Sequence, residues 1–197
     1  MRELVVLTFV SLDGVMQAPG GKGEDPSGGF NLEGWTVPYF DETLGAEMGK
    51  QMEQPFDLLL GRKTYDIFLP YWSKQKGSEI DRAKKYVVSN RTVSTDWKET
   101  IQIKGDVSAE IKKLKQQDGP MLQVHGSSQL IQTLLANDLV DELWLKIFPV
   151  TLGKGKRLFG EGTIPAAFKL EESKTTPSGV IIVSYKRDGE VKLGSFA

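Results

Sequence analysis

Three short segments draw on glycine, hydroxyls, an amide or cations in ways that suit an anion. Gly61-Arg62-Lys63-Thr64 follows the apolar run Asp57 to Leu60, and Ser89-Asn90-Arg91-Thr92 follows Lys85 to Val88. His125-Gly126-Ser127-Ser128-Gln129 follows Met121 to Val124. Glycine lets the chain turn tightly, and the first turn of a helix leaves backbone N–H groups free. A neighbouring cation or hydroxyl then completes a receptor for negative charge. One such turn is commonplace, whereas three at one edge of a sheet suit a ligand with several phosphates, such as a dinucleotide. No G-x-G-x-x-G follows a strand and no G-x-x-x-x-G-K-[ST] occurs, so an ordinary dinucleotide fingerprint and a P-loop are not supported. Gly153-Lys154-Gly155-Lys156-Arg157 reads as a solvated turn. The chain has no cysteine and one histidine, His125. A thiol nucleophile, a disulfide scaffold and a Cys/His zinc site are thereby excluded, and a Ser-His-Asp triad survives only with His125 as its base.

These turns need a frame that brings them to one edge. Leu4 to Leu12 is apolar and β-branched, as a strand buried on both faces requires. Asp57–Leu60, Lys85–Ser89, Thr100–Ile103, Met121–Val124 and Glu142–Val150 read as further strands. A helix over Tyr39–Gln54 would set Phe40, Leu44, Met48 and Met52 on one face, and a short helix opens at Arg62. Another runs from an Asp106 cap to about Gln117, with Val107, Ile111 and Leu114 inward. A fourth covers Ser127–Asn137, with Leu130, Ile131, Leu134 and Leu135 inward. Phe168–Thr176 and Val180–Arg187 form a hairpin around Pro177-Ser178-Gly179. Strands alternating with helices predict an α/β fold with a mostly parallel central sheet, flanking helices and a C-terminal antiparallel hairpin. Its ligand site should lie beyond the carboxyl ends of the parallel strands. The glycine-rich residues 17–35 predict an irregular, mobile loop that acts as a lid.

The 197 residues suit a single domain. The net charge is −1, with 12 basic and 14 acidic side chains in residues 1–98 and 13 and 12 in the remainder. No basic arm stands out, so a nucleic-acid partner is not expected. No apolar run is long enough to span a bilayer, and the N-terminus runs straight into a strand without a signal-peptide pattern. The expectation is a cytoplasmic protein with a small-molecule ligand.

Taken in order, Ser11-Leu12-Asp13-Gly14, Leu60-Gly61-Arg62-Lys63-Thr64-Tyr65, Val88-Ser89-Asn90-Arg91, Val124 to Leu130 and Asp141-Glu142-Leu143 to Pro149-Val150 carry a resemblance. The chain resembles the dihydrofolate-reductase-like superfamily, and within it the reductase domain of bacterial riboflavin biosynthesis and its stand-alone relatives. The resemblance runs from about Glu3 to Arg187. It implies an NADPH-dependent oxidoreductase that transfers hydride to a heterocycle-linked C=O or C=N group, as in reduction of the phosphoribosylamino-uracil of that pathway. Pterin or folate reduction, and a non-catalytic nucleotide-binding protein, are the alternatives.

By the same resemblance, Gly61, Arg62, Lys63 and Thr64 with Gly126, Ser127, Ser128, Gln129 and Leu130 cradle the pyrophosphate. Ser89, Asn90 and Arg91 meet the adenosine 2′-phosphate. Three cations at these turns accord with NADPH rather than NADH. Asp13 is implied beside substrate and nicotinamide, where it also suits a turn accepting local N–H bonds. Asp41 is implied where folate reductases carry a substrate-binding acid, where it also suits the positive end of a helix. Trp35, Tyr39 and Phe40 would wall a flat ring, and His125 would pack beneath the cofactor.

Two departures stand out. Gly126-Ser127 replaces a frequent glycine pair, and Asp41-Glu42 stands where a ribose-phosphate binder would have cations. The chain also carries no counterpart of the deaminase half or its zinc ligands. Relatives pair through sheet edges and late strands, which implies a homodimer. Leu143-Trp144-Leu145 and Val180 to Val183 are the candidate contacts, and both also suit a core.

Overall fold

The computed structural model describes residues 1–196. In chain order its principal elements are β1 (Leu4–Ser11), α1 (Glu42–Lys50), β2 (Phe56–Gly61), α2 (Arg62–Trp72), α3 (Glu79–Arg82), β3 (Lys85–Val88) and β4 (Thr100–Ile103). There follow α4 (Val107–Gln116), β5 (Met121–His125), α5 (Ser128–Ala136), β6 (Glu142–Phe148), β7 (Phe168–Thr175) and β8 (Ile181–Arg187). The strands form one sheet in the order β4-β3-β2-β5-β1-β6-β8-β7. The first six in that order pair in parallel, and β8 and β7 close the sheet antiparallel. This is the expected α/β architecture with its C-terminal hairpin. Among the described residues no helix is long and apolar enough to cross a membrane.

Alternation along the strands divides the core. One face carries Leu4, Val6, Leu59, Leu122, Val124, Leu143 and Leu145 against Ile111 and Leu114 of α4 and Ile131 and Leu134 of α5. The opposite face carries two separate clusters. Phe56, Leu58 and Leu60 pack with Tyr65 of α2 and with Trp97. Phe148 and Ile182 pack with Leu44 of α1 and with Val15, Phe30 and Trp35 from the segment between β1 and α1. Of the expected dimer contacts, Leu143, Leu145, Val180, Ile182 and Val183 are buried within one chain and belong to its core, whereas Trp144 is half-buried and Ile181 is 39% exposed.

One local expectation is corrected. The helix after the loop starts at Glu42 rather than Tyr39, since Asp41 caps it by accepting from the Leu44 N–H at 2.8 Å. Val37–Tyr39 forms a separate short turn containing Pro38, and Phe40 is extended and 47% exposed, off the helix's buried face. The glycine-rich segment is irregular as expected; it is folded on itself, and Asp25 ties it to the rest of the chain through Lys63 and Lys156. The Gln17 side-chain amide donates to the carbonyls of Asp25 and Ser27 at 2.8 and 2.9 Å. The Trp35 indole N–H donates to the Gln17 carbonyl at 2.8 Å, and Glu33 accepts from the N–H groups of Gly23 and Asp25, each at 2.9 Å. Apolar anchors at Phe30 and Trp35 supply burial that glycine content alone does not reveal.

Candidate functional site

Because β2 and β5 are neighbours, the turns that follow them abut. The Gly61 N–H donates to Ser127 Oγ at 2.8 Å, and Ser127 Oγ donates to Thr64 Oγ1 at 2.7 Å. Gly126 and Ser127 both adopt left-handed backbone, at φ 73° and 69°. A left-handed serine is disfavoured by about 1 kcal/mol or more. Here its hydroxyl offsets that cost by satisfying one N–H and tying β2, α2 and the start of α5 together. The Gly-Ser turn therefore holds a conformation natural to a glycine pair. A Cβ added at Gly61 would lie 3.0 Å from Ser127 Cβ and Oγ, so any side chain there would press on Ser127. The N-termini of α2 and α5 sit side by side there and offer free N–H groups to an anion. Ser128 is half-buried and Gln129 exposed, while the Leu130 side chain points into the core.

The cations do not gather at one point. Arg62 Nε donates to the Asp66 carboxylate at 2.7 and 2.8 Å, and Nη1 donates to the Thr92 carbonyl at 2.5 Å. Arg62 thus joins α2 to the turn after β3, where Ser89 Oγ accepts from the Arg91 N–H at 3.1 Å. Gln102 Nε2 donates to the Ser89 carbonyl at 2.7 Å and holds that turn, leaving Asn90 and Arg91 exposed. Lys63 turns the other way and pairs with Asp25 of the loop.

Both candidate acids are carboxylates occupied as acceptors. Asp13 accepts from Ser11 Oγ at 2.5 Å and from the N–H groups of Leu152 and Gly153 at 3.1 and 2.8 Å. The Ser11 hydroxyl, opposed by partial burial and aided by those two N–H groups, lowers its pKa to about 2. Asp41 accepts from Leu44 and also from the Ser178 N–H at 3.0 Å, so it caps α1 and holds the β7–β8 turn. The Leu44 N–H in particular lowers its pKa. Near neutral pH neither group carries a proton to give. Trp35 and Tyr39 pack edge-on against Phe148, with centroids 5.4 and 6.0 Å away, and Trp35 is 8% exposed. Phe40 packs on Phe9 at 5.9 Å and is the member of that aromatic set that faces solvent.

A polar strip that sequence reasoning missed runs between the two clusters beneath α1 and α2. Lys146 is 3% exposed, and its ammonium donates to Gln51 Oε1, just past α1. Gln123 Nε2 donates to the Gln51 carbonyl at 2.9 Å, and Gln123 Oε1 lies 2.9 Å from His125 Nε2. Since Gln123 Oε1 can only accept, Nε2 carries the proton of a neutral imidazole. Burial, and then the Lys146 charge, push His125 down to about 3. Burial alone pushes Lys146 down to about 7. The imidazole lies among aromatic rings, with Phe56 and Phe68 at 6.4 and 6.2 Å. The available signal was the alternation Trp144-Lys146-Phe148, which sets a lysine on a face bounded by aromatics in a strand with two neighbours.

Comparison with known proteins agrees with the fold. The chain is 28% identical over 195 residues to the uncharacterized protein YyaP of Bacillus subtilis, covering 95% of this chain and 96% of that one. It is 26% identical over 179 residues to YwjB of the same organism, covering 88% and 91%. Among solved structures, a putative riboflavin biosynthesis protein from Shewanella sp. PV-4 superposes with a TM-score of 0.65 at 22% identity, covering 95% and 99%. A pyrimidine reductase-like protein from Corynebacterium diphtheriae gives 0.63 at 16% identity, covering 96% and 93%. Both share the fold. The family model for the RibD C-terminal domain matches residues 2–182, from the first strand into the last, and the chain belongs to that family.

Proposed function

We propose that this protein is an NADPH-dependent reductase acting on a heterocycle-linked C=O or C=N group of the riboflavin-precursor type. The observation that carries the reading is the junction of Gly61, Thr64 and Ser127, where two helix N-termini meet over a glycine at which any side chain would press on Ser127. That junction would suit a pyrophosphate, because the first-turn N–H groups of α2 and α5 lack helical partners there. Ser89, Asn90, Arg91 and Arg62 stand together on the β3 side and suit a 2′-phosphate. Family membership and the named structural neighbours support a reductase of this class. The bound dihydronicotinamide would supply the hydride, and the chain would supply position and field. Phe40 offers an exposed aromatic edge to a flat ring, while Asp13 and Asp41 hold the surrounding loops in place. Binding monitored by NADPH fluorescence, with oxidation followed on pyrimidine and pterin substrates, tests the reading. Binding without turnover on any of them would favour a nucleotide-binding protein.

Cofactor choice gives a sharper expectation. Each charge-assisted hydrogen bond to the extra phosphate contributes roughly 1.5–3 kcal/mol, so NADPH should bind at least about tenfold more tightly than NADH. Equal dissociation constants would refute the placement of Arg62 and Arg91 at a 2′-phosphate.

We also propose a homodimer formed through the sheet edge. β7 is the edge strand, nearly exposed along its whole length, with Leu170 48% exposed. An open edge of this length presents unpaired N–H and C=O groups to a second strand. Light scattering at micromolar concentration should return the mass of two chains; the mass of one chain would exclude the dimer.

A further inference from the structure

Asp25 lies in the irregular segment between β1 and α1, yet it is only 7% exposed. Its carboxylate pairs with Lys63, in the first turn of α2, and with Lys156 at 2.6 Å, in the run after β6. Ser27 adds its hydroxyl at 2.5 Å and its N–H at 3.2 Å. Burial opposes ionisation of Asp25, but hydrogen bonds from Lys156, Lys63 and Ser27 outweigh it and hold the carboxyl well below its usual range.

Topology says where this bridge runs. Lys63 follows the carboxyl end of β2, and Lys156 lies beside Met16, just past the carboxyl end of β1, with β5 between those two strands. Two strand spacings are about 10 Å, so Lys63, Asp25 and Lys156 together reach across the end of β5. The Gly126-Ser127 turn is at the end of β5. The bridge therefore closes over the junction that suits a pyrophosphate.

The Gly153–Arg157 run is thus no free solvated turn. The Lys156 N–H donates to Gln17 Oε1 at 3.0 Å, and its carbonyl accepts from the Met16 N–H at 2.8 Å. Lys154 Nζ donates to the Gly29 carbonyl at 3.2 Å, and Arg157 donates to the Asp13 carbonyl. Its backbone is clamped while the Lys156 head stays 35% exposed; the Lys63 side chain is 53% exposed. Both ammonium groups stay open to solvent beside the buried carboxylate, so a second anion can reach them. Two ammonium groups converging on one pair of oxygens is the charge arrangement that receives a phosphate.

We propose that Lys63 and Lys156 form a phosphate-oxygen site at the mouth of the dinucleotide cradle. Asp25 occupies it as an internal anion, and the dinucleotide's pyrophosphate competes with Asp25 for both lysines. The inference rests on the cofactor reading above. It adds Lys156 to the binding residues and makes Asp25 an internal competitor of the cofactor.

Titration of the full chain with NADPH and with inorganic pyrophosphate, for wild type, Asp25→Asn and Lys156→Met, tests it. Asp25→Asn should bind both probes about threefold to tenfold more tightly, because the competing charge is gone. Lys156→Met should bind both about tenfold more weakly at a temperature where it remains fully folded, with a lowered melting temperature as the buried Asp25 loses a partner. If the wild type binds NADPH and neither variant alters either affinity, the inference is overturned and the cofactor reading stands. If the wild type binds neither probe and Asp25→Asn restores neither, the cofactor reading falls and takes the inference with it. Should Asp25→Asn fail to fold, Lys156→Met alone decides.

Discussion

Lys146→Met should melt well above the wild type at neutral pH, and the gain should vanish as the pH is raised past 10. Lys146 is 3% exposed, with only the Gln51 carboxamide as its polar partner, and no carboxylate among the described residues lies within ion-pair distance. The neighbouring His125 is neutral and offers no compensating charge. Burial lowers the ammonium's pKa from the usual 10.5 to about 7. Below pH 7 both the native and the unfolded chain hold the proton, and the native state bears the full cost of a buried charge. Between pH 7 and 10.5 the unfolded chain binds a proton that the native chain releases, so stability rises with pH. Above that window both are neutral and the cost is gone. At about 1.4 kcal/mol per tenfold change in proton affinity, the cost near neutrality is on the order of 4 kcal/mol. Methionine keeps the length and removes the charge, so a gain of roughly 2–4 kcal/mol is expected at pH 7. Urea unfolding of both proteins at pH 7 and pH 10 reads it. Lys85, also lowered by burial to about 8, contributes equally to both and cancels in the difference. A variant less stable at pH 7, or a gain that does not shrink by pH 10, would show that the charge is compensated.

Gly61→Ala should loosen the cradle, and Ser127→Gly should restore it. At φ −74° alanine is acceptable to the Gly61 backbone, so the obstruction is steric. The new methyl would meet Ser127 Cβ and Oγ at 3.0 Å, with Leu130 Cβ at 3.8 Å behind. To give way, Ser127 must abandon its bonds to the Gly61 N–H and to Thr64 Oγ1. Overpacking of this kind costs about 1–3 kcal/mol. NADPH affinity should fall at least about tenfold, since the N-termini of α2 and α5 part. Ser127→Gly removes both obstructing atoms, and glycine relieves the left-handed strain at φ 69°. The double variant should therefore recover most of the stability and binding, with a coupling energy of about 1–2 kcal/mol in the four-protein cycle. Equal losses in Gly61→Ala and in the double variant would mean that Ser127 is not what fills the space.

The parts of this molecule that were legible in its sequence are those set by neighbours along the chain. Alternation and apolar runs marked β1, β2, β3 and β5, Asp106 marked the start of α4, and Pro177-Ser178-Gly179 marked the turn between β7 and β8. The turns at Gly61 and Gly126 were legible as anion receptors, because glycine, hydroxyl and helix start are local features. Their contact through Ser127 Oγ joins positions 66 residues apart, and only the pairing of β2 with β5 creates it. Side-chain direction was equally out of reach. Arg62 and Lys63 are adjacent, yet one reaches the turn after β3 and the other the loop carboxylate. Trp35 and Tyr39 became core because Phe148 lies beneath them, and Lys146 found Gln51 from 95 residues away. Periodicity and turn chemistry depend on a few consecutive residues, so the sequence by itself determined the elements and their type. Burial, pKa and ion pairing depend on whichever distant groups share a small volume, and that was decided only when the sheet order placed β5 and β1 between β2 and β6.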